Sequence, residues 1–250
     1  MINDDIDLDL NEHLLDLDPD IHYFDTTCSE NQNFSTFESI DDFFSENVSL
    51  NDCPNTLSIF CQNIRSFERN LDIFLGLFPH DKMPDIFIFS ETWHRENRPL
   101  NIPGFIGYHT IRNGRAGGVS IFIKSQFSSS MISKFSYANE NIEICTVKVC
   151  TTSENLHVSG IYRPQSATIN DFNISLENII ADNEFPNSSS VLAGDFNVNL
   201  MSSNGDVERM VDIMRSHHYL QTVLSITHPG VQSSSSLIDL IWINQLYVAI

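Results

Sequence analysis

The sequence lacks the features of a membrane-spanning or disulfide-stabilised protein. None of its 250 residues lies in an apolar run of the roughly 18 residues that a transmembrane helix needs. The start, MINDD, has neither the basic nor the apolar region of a secretory signal. Its five cysteines are odd in number and form no C-x-x-C pair, which argues against a disulfide framework and a cysteine-type zinc site. We therefore expect an intracellular protein with reduced thiols.

Basic residues are missing from the first 55 positions. This segment holds 15 of the 33 acidic residues, and the first basic residue is Arg65. The net charge of −20 is thus concentrated here, since the remaining 195 residues have a net charge of only −5. Acidic and scattered apolar residues oppose compaction, so we expect residues 1–55 to be disordered. Two interpretations stay open: an acidic interaction segment, or a solvated tail.

From Thr56 onward the pattern is that of a folded domain. Apolar and β-branched runs predict seven to nine strands, and apolar residues at helical spacing predict three helices. No internal repeat is present. Strands are predicted at 56–63, 83–90, 117–124, 142–149, 157–164, 190–197 and 236–244, and helices at 65–78, 168–182 and 207–217. Several strands follow one another without a helix, which favours a mixed α/β fold with two packed sheets and outer helices.

Polar residues stand at the ends of these apolar strands, where a purely structural strand would have none. A carboxylate at a buried position destabilises the fold by roughly several kcal/mol unless it is paired with another group or binds a metal. Such residues on separate strands therefore predict one convergent site at the rim of the sheets. The residues concerned are Asn63, Glu91, Tyr162, Asp195 and Asn197, together with Asp239, which lies inside the predicted strand 236–244.

This set of side chains suits the hydrolysis of a phosphate ester. Glu91 can hold Mg²⁺ (or Mn²⁺) through oxygen, and Asp195 can orient and deprotonate a water molecule. The amides of Asn63 and Asn197 can bind water or a phosphate oxygen without adding negative charge. Arg163 can stabilise charge that develops on the phosphate.

Each residue also has a purely structural interpretation. Asn63 could cap the helix that begins near Arg65, and Asp195 follows a glycine and could belong to a turn. Glu91 could lie in the first turn of a short helix, and Tyr162 could be a packing residue with an anchored hydroxyl. Asp239 is the hardest to explain in this way, because apolar residues surround it. The set is more specific than any one of its members.

In these stretches the chain resembles the endonuclease/exonuclease/phosphatase superfamily. The closest likeness is to the apurinic-type endonuclease domain of non-LTR retrotransposons. The resemblance spans Thr56 to Asn244, and GDFN is its most specific part. The matching stretches, in the order of the family, are FCQNIRSF, DIFIFSETW, GGVSIFIK, GIYRP, LAGDFNVNL and SLIDLIWIN.

The resemblance implies a four-layered α/β sandwich over residues 56–250 and a metal-dependent phosphodiesterase that nicks DNA. It implies Mg²⁺ or Mn²⁺ as cofactor, a nuclear location and association with a reverse transcriptase module. It also implies a role for each matched residue. Glu91 and Asn63 lie at the metal, Tyr162 contacts the scissile phosphate, Asp195 activates water with Asn197 beside it, Thr227 lies near the substrate phosphate, and Asp239 orients a catalytic histidine.

The chain departs from the family pattern at two places. Arg65 stands where the repair enzymes carry an acidic residue, which favours the retrotransposon subgroup. The family places a Ser-Asp-His motif after the last matched strand, and none of the nine histidines lies in such a motif before Ile250. We therefore expect a C-terminally truncated domain whose activity is weakened or lost.

Three functions follow from these observations. The first is a DNA-nicking endonuclease, and the second is a non-catalytic remnant that binds nucleic acid or protein. The third is a phosphatase of the same superfamily acting on a small phosphoester. The retrotransposon-like stretches favour the first over the third.

Overall fold

A computed structural model describes ten ranges of the chain: 22–27, 34–37, 56–79, 82–95, 98–112, 116–152, 155–185, 189–223, 226–228 and 235–244. Within them lie three α-helices: α1 (Phe67–Leu75), α2 (Ile169–Ile180) and α3 (Gly205–Ser216). The same ranges contain the strands β1 (His22–Thr27), β2 (Phe34–Phe37), β3 (Thr56–Asn63), β4 (Ile86–Ser90), β5 (Phe105–Thr110), β6 (Val119–Lys124), β7 (Ser128–Met131), β8 (Tyr137–Ala138), β9 (Glu143–Cys150), β10 (Asn155–Tyr162), β11 (Ser190–Asp195), β12 (Tyr219–Gln221) and β13 (Asp239–Asn244).

The strands form two mixed sheets. The first has the order β2-β1-β3-β4-β6-β5, and the second has the order β12-β13-β11-β10-β9-β7, with β8 paired to β9. Each sheet contains one parallel pair among its described strands, β3 with β4 and β10 with β11. Since parallel neighbours end at the same edge, each pair brings two strand ends together.

Isoleucines and phenylalanines alternate along the central strands of the first sheet, so the sheet has two apolar faces of different composition. Isoleucines such as Ile88 and Ile121 face the second sheet and share one core with Val147 and Val158. The intervening phenylalanines Phe87 and Phe122 face the opposite way. This two-sided burial follows from the period of two in a strand, and it explains why these strands are apolar throughout.

Helix α1 covers the outer face of the first sheet through a group of rings that we call the phenylalanine cluster. Its members are Phe60, Phe67, Phe74, Phe78, Phe87, Phe89 and Phe122. Phe74 is fully buried and lies 5.0–5.5 Å, centroid to centroid, from four other rings of the cluster. Tilted and edge-on ring pairs at such distances stabilise beyond the area they bury.

Helices α2 and α3 cover the outer face of the second sheet. Buried residues of both helices, such as Phe172 and Met210, join the core that contains Leu192. The side chain of Thr168 accepts a hydrogen bond from the Asp171 backbone N–H and so caps α2. The order helix, sheet, sheet, helices confirms the predicted four-layered α/β sandwich.

The described ranges contain 13 strands rather than the predicted seven to nine. The additional ones include β5, β7 and β12 at sheet edges and the two-residue β8. Edge strands such as Ser128–Met131 are short and polar, because one side of their backbone faces no partner strand, and they lack the apolar signal on which the prediction relied.

Two described stretches fall within the acidic segment 1–55. They are β1 and β2, which pair with each other, and β1 also pairs antiparallel with β3. The rest of the segment lies outside the described residues, so its expected disorder stays a prediction. Among the described helices, none has the length and apolar character needed to cross a membrane.

Candidate functional site

The polar residues at the strand ends are brought to one rim by the sheet registers. Asn63 pairs with Ser90 across the parallel strands β3 and β4, which places Glu91 next to it. In the second sheet, Asp195 at the end of β11 is in register with Tyr162 on one side and Asp239 on the other. The two sheets therefore contribute neighbouring strand ends.

Hydrogen bonds connect these side chains across the two sheets. The Asn63 Nδ2 donates to Glu91 Oε1 at 3.0 Å and to Asp195 Oδ2 at 2.9 Å. The Tyr162 hydroxyl donates to Glu91 Oε1 at 3.2 Å. One amide group thus joins two carboxylates from different sheets. We call Asn63, Glu91, Tyr162, Asp195 and Asn197 the site cluster.

Asn197 is held by its backbone and its side chain. Its backbone N–H donates to Asp195 Oδ1 at 2.9 Å, and its Nδ2 donates to the Arg163 carbonyl at 2.9 Å. Its φ of 49° lies in the left-handed region, which asparagine tolerates better than most residues. We call residues 195–197 the DFN turn. These two hydrogen bonds show that the turn orients the Asp195 carboxylate.

Gly194 explains the glycine in the GDFN motif. Its φ is 151°, and a Cβ built at this position would lie 1.8 Å from the Ile161 carbonyl oxygen of strand β10. A side chain at residue 194 would therefore force β10 and β11 apart. The close approach keeps Tyr162 and Asp195 side by side.

Glu91 has a strained backbone. Its φ of 50° is rare for a residue with a long side chain, and such conformations cost on the order of 1–3 kcal/mol each. Neighbouring segments hold it there, because the Glu91 carbonyl accepts from Ser66 N–H at 2.9 Å. Strained residues of this kind concentrate at functional sites, which singles out Glu91 independently of its chemistry.

The phenol of the cluster is protonated at neutral pH, and its surroundings strengthen that state. Burial raises the pKa of the Tyr162 hydroxyl far above its usual value, and the charges of Glu91 and Asp195 raise it further. The hydroxyl therefore stays a hydrogen-bond donor at neutral pH. Together with the Asn63 amide, it provides donors beside two carboxylates without adding a negative charge.

Asp239 lies beside Asp195 and is held by Thr227. The buried Thr227 Oγ1 accepts the backbone N–H groups of Ile238 at 2.9 Å and Asp239 at 3.0 Å. Both aspartates also act on the buried Cys61 thiol, whose pKa is raised by burial and then by their charges. The structure thus shows Thr227 in a position to fix the start of β13, and its predicted contact with phosphate stays untested.

Arg163 directs its guanidinium at the protein backbone. Its side chain donates to the carbonyl groups of Phe196, Ala167 and Asn197, with 3.0 Å for the bond from Nε to Phe196 O. Burial lowers the pKa of this guanidinium. These contacts indicate a brace for the DFN turn rather than a group that faces a phosphate.

Glu143 is a buried acid that the sequence analysis missed. Its carboxylate accepts the Gly118 N–H at 2.5 Å and pairs with Arg112 at 3.2 Å. Burial raises its pKa, and the charge of Glu91 raises it further, which places it close to the site cluster. The signal was an acid between apolar residues, the same signal that drew attention to Asp239.

The atoms of the site that could bind a metal ion are oxygens, which suits Mg²⁺ or Mn²⁺. Among the residues described, no group of three or more His, Cys, Asp or Glu side chains is arranged to hold a metal. Mg²⁺ is nonetheless often bound by one or two carboxylates and completes its coordination with water and substrate phosphate. The partly exposed Glu91, with Asp195 joined to it through Asn63, fits that pattern.

Comparison with solved structures finds domains of similar fold. The endonuclease domain of TRAS1, a telomere-specific non-LTR retrotransposon, is similar with a TM-score of 0.55 and 9% identity, over 74% of this chain and 83% of that chain. A variant of the 3′ phosphatase NExo from Neisseria, bound to a product DNA hairpin, is similar with a TM-score of 0.50 and 13% identity, over 75% of this chain and 86% of that chain. At these identities the likeness concerns the fold.

Sequence comparison identifies the family. No curated protein matches the chain significantly. The model of the Endonuclease/Exonuclease/phosphatase family matches residues 42–245, which include every member of the site cluster as well as Asp239. The chain therefore belongs to the endonuclease/exonuclease/phosphatase family.

Proposed function

We propose that this protein is a metal-dependent phosphodiesterase that nicks DNA, of the kind found in non-LTR retrotransposons. The observation that carries the proposal is the Asn63 amide, which joins Glu91 and Asp195 across the two sheets. The family membership and the fold shared with a retrotransposon endonuclease support it. The domain formed by residues 56–250 would act in the nucleus together with a reverse transcriptase module.

Glu91, with Asn63 beside it, would hold Mg²⁺ or Mn²⁺. A divalent ion bound there would neutralise a phosphate oxygen and stabilise the leaving alkoxide. The strained backbone at Glu91 supports this role, because it presents the carboxylate at the rim although a relaxed conformation would cost less. The Tyr162 hydroxyl, kept protonated, would donate to an oxygen of the scissile phosphate.

Asp195 would orient and deprotonate the attacking water. Its Oδ1 accepts the Asn197 N–H and its Oδ2 accepts the Asn63 amide, so both oxygens are held in place. A carboxylate with this orientation can take a proton from water while the phosphate lies on its other side. Asn197 acts through Asp195 and would also contact the phosphate. We leave Arg163 and Thr227 out of the phosphate-binding set because their polar groups engage the backbone.

None of the nine histidines of the sequence lies in a Ser-Asp-His motif. The Asp239 carboxylate would orient an imidazole that protonates the leaving oxygen, and a missing general acid costs about 10²- to 10⁴-fold in rate. We propose that the 250-residue chain is a weak enzyme for this reason. Added imidazole should then raise its rate, whereas an imidazole that carries N-methyl and C2-methyl groups should act less well.

Relaxation of supercoiled plasmid in the presence of Mg²⁺ tests the proposal. We expect nicking by the wild-type chain, and a loss of about 10²-fold or more for Glu91→Ala and Asp195→Ala. Asp212→Ala, which removes an exposed acid on α3, is the matched control and should keep wild-type activity. Nicking that survives both site substitutions would refute the proposal.

The alternative is a non-catalytic module that binds nucleic acid or protein. The acidic segment 1–55 and the lack of a Ser-Asp-His motif among the histidines motivate this alternative. Binding of an oligonucleotide without any nicking, with or without imidazole, would identify this alternative.

A further inference from the structure

Trp93 exposes a large aromatic ring beside the site. It is 41% exposed, while the other tryptophan of the chain, Trp242, is 2% exposed. Burial of a large aromatic side chain normally contributes about 1.5–3 kcal/mol to the free energy of folding. The fold does not gain the full contribution from the exposed Trp93 indole. Trp93 follows the proposed metal-binding residue Glu91 by two positions.

The segment that carries Trp93, Glu91–Trp93, is held rigidly, and we call it the strap. Thr92 N–H donates to the Gly118 carbonyl at 3.2 Å, and Trp93 N–H donates to the Gly117 carbonyl at 2.9 Å. Trp93 has a φ of 51°, a second strained residue in the strap. Its position is therefore imposed by neighbouring structure and is not that of a loose loop.

Gly118, one of the two glycines that hold the strap, is itself held by a buried side chain. The Gly118 N–H is bonded to the buried Glu143, which pairs with Arg112. On the other side, Phe67 N–H donates to the Thr92 carbonyl at 3.0 Å. Backbone bonds thus fix the strap on both sides while the indole itself remains at the surface.

Positive charges flank the strap. Arg65 and Arg95 are exposed, and the segment of Arg65 is bonded to the strap through Ser66 N–H and Glu91 O. The site cluster itself contains two carboxylates and no cation. The two exposed arginines therefore lie on segments that adjoin the strap, one through a backbone hydrogen bond and one directly along the chain, where they can attract a polyanion.

We propose that Trp93 is a stacking site for an unpaired nucleobase next to the phosphodiester held at Glu91 and Asp195. A flat, exposed ring on a strap whose backbone is held, with an exposed arginine on each adjoining segment, fits a base attached to a phosphate chain, and stacking of this kind tolerates any base sequence. The proposal rests on the proposed function, because it places the base beside that scissile phosphate. It predicts a preference for strands with an extruded or unpaired base over small phosphoesters.

Tryptophan fluorescence of the full chain tests stacking without any hydrolysis. In EDTA, we expect an oligothymidylate of about 12 nucleotides to quench the emission of Trp93 in a saturable manner. An oligomer of abasic deoxyribose phosphate of the same length should bind without this quenching. Trp93→Phe should leave only the emission of the buried Trp242, which neither probe changes. Equal quenching by both oligomers, or none at saturation as measured by anisotropy, would overturn the proposal.

A kinetic test separates stacking from a merely structural role. Trp93→Ala should raise KM for the thymidylate about 5- to 150-fold, the effect of losing about 1–3 kcal/mol of one base–aromatic stack, and leave kcat unchanged. Trp93→Phe should restore most of the affinity, and KM for the abasic oligomer should not respond. A fall in kcat on both substrates would show that Trp93 only supports the strap and would overturn the proposal. If the chain hydrolyses nothing, the proposed function fails, and quenching still decides whether a base stacks on Trp93.

Discussion

Strand β4 connects two regions of opposite chemistry within five residues. Phe87 and Phe89 point into the phenylalanine cluster, where the rings of seven residues fill the space under α1. Glu91, directly after the strand, enters the site cluster, where carboxylates converge and two residues have strained backbones. The first region supplies free energy of folding, and the second consumes part of it to hold charged groups in place. The difference predicts opposite responses to substitution.

The largest effect is expected in the phenylalanine cluster. Phe74→Ala should lower the free energy of unfolding by about 3–5 kcal/mol, because it removes a fully buried ring and leaves a cavity. Urea denaturation of the full chain measures this change. Leu220→Ala, at a side chain 52% exposed, is the control and should cost less than about 0.5 kcal/mol.

A site substitution should show the reverse behaviour. Asp195→Asn removes one of the carboxylates that crowd Tyr162 but sets an amide NH2 against the N–H of Asn63 or Asn197, so stability should change far less than in Phe74→Ala while nicking falls. A loss of stability comparable to that of Phe74→Ala would contradict the contrast between the two regions.

The second prediction concerns the glycine under the strap. Gly117 has a φ of 93°, and a Cβ there would lie 2.5 Å from Glu143 Oε1. Gly117→Ala should therefore lose about 1–2 kcal/mol through backbone strain and about 1–3 kcal/mol more through crowding. Thermal and urea unfolding measure the total.

Gly104 provides a matched control for this substitution. Its φ of 85° is similar, but a Cβ there would meet no atom within 4 Å. Gly104→Ala should then show the strain alone. Equal losses for the two alanine variants would mean that Glu143 moves aside freely and does not brace the strap.

The central strands, and with them the fold, were predictable from the sequence because these strands are apolar along their whole length. Strand β3 was predicted with its observed limits, Thr56–Asn63, since its apolar run is buried on both faces. Helix α1 begins at Phe67 instead of Arg65 because Arg65 and Ser66 have positive φ and Ser66 bonds to Glu91. Contacts of this kind arise only in the folded chain.

The site could be predicted only in part, for a related reason. A polar residue at a strand end indicates the rim, and the rim is where Asn63, Glu91 and Asp195 meet. The direction of a side chain is not encoded in that pattern. Arg163 follows a strand in the same way, yet its donors face backbone carbonyls. Glu143 begins its strand, as Asp239 does, so it gave no strand-end signal, and only its apolar neighbours could have indicated it.

The third prediction uses a partly buried histidine near the strap. His109 Nδ1 lies 2.9 Å from Ser120 Oγ, and its ring centroid lies 4.8 Å from that of His94. Burial, and then the charge of His94, lower the pKa of His109 from 6.5 to about 4. Between about pH 4 and pH 6.5, His109 is therefore protonated in the unfolded chain and neutral in the folded chain. Stability should be highest above pH 6.5 and should fall as the pH drops toward 4.

Urea denaturation at pH 7 and pH 5 tests the contribution of His109. His109→Gln should reduce the loss of stability between the two values, and His218→Gln, at an exposed position, should leave it unchanged. Part of the loss should remain in either variant, because burial also lowers the pKa of His157. An unaltered pH dependence in His109→Gln would show that its imidazole is already protonated in the folded chain.

The smallest effect is expected at the helix caps, where the chain offers its own control. Thr168 accepts the Asp171 N–H at 3.1 Å, so Thr168→Ala should cost about 1 kcal/mol through an unsatisfied N–H at the start of α2. Ser66 occupies the same position before α1 but makes no side-chain cap bond, and Ser66→Ala should cost less than about 0.5 kcal/mol. Helix α1 is instead held at its start by backbone bonds to Glu91 and Thr92. A substantial loss for Ser66→Ala would mean that the hydroxyl, rather than the strap, fixes the end of the helix next to the site cluster.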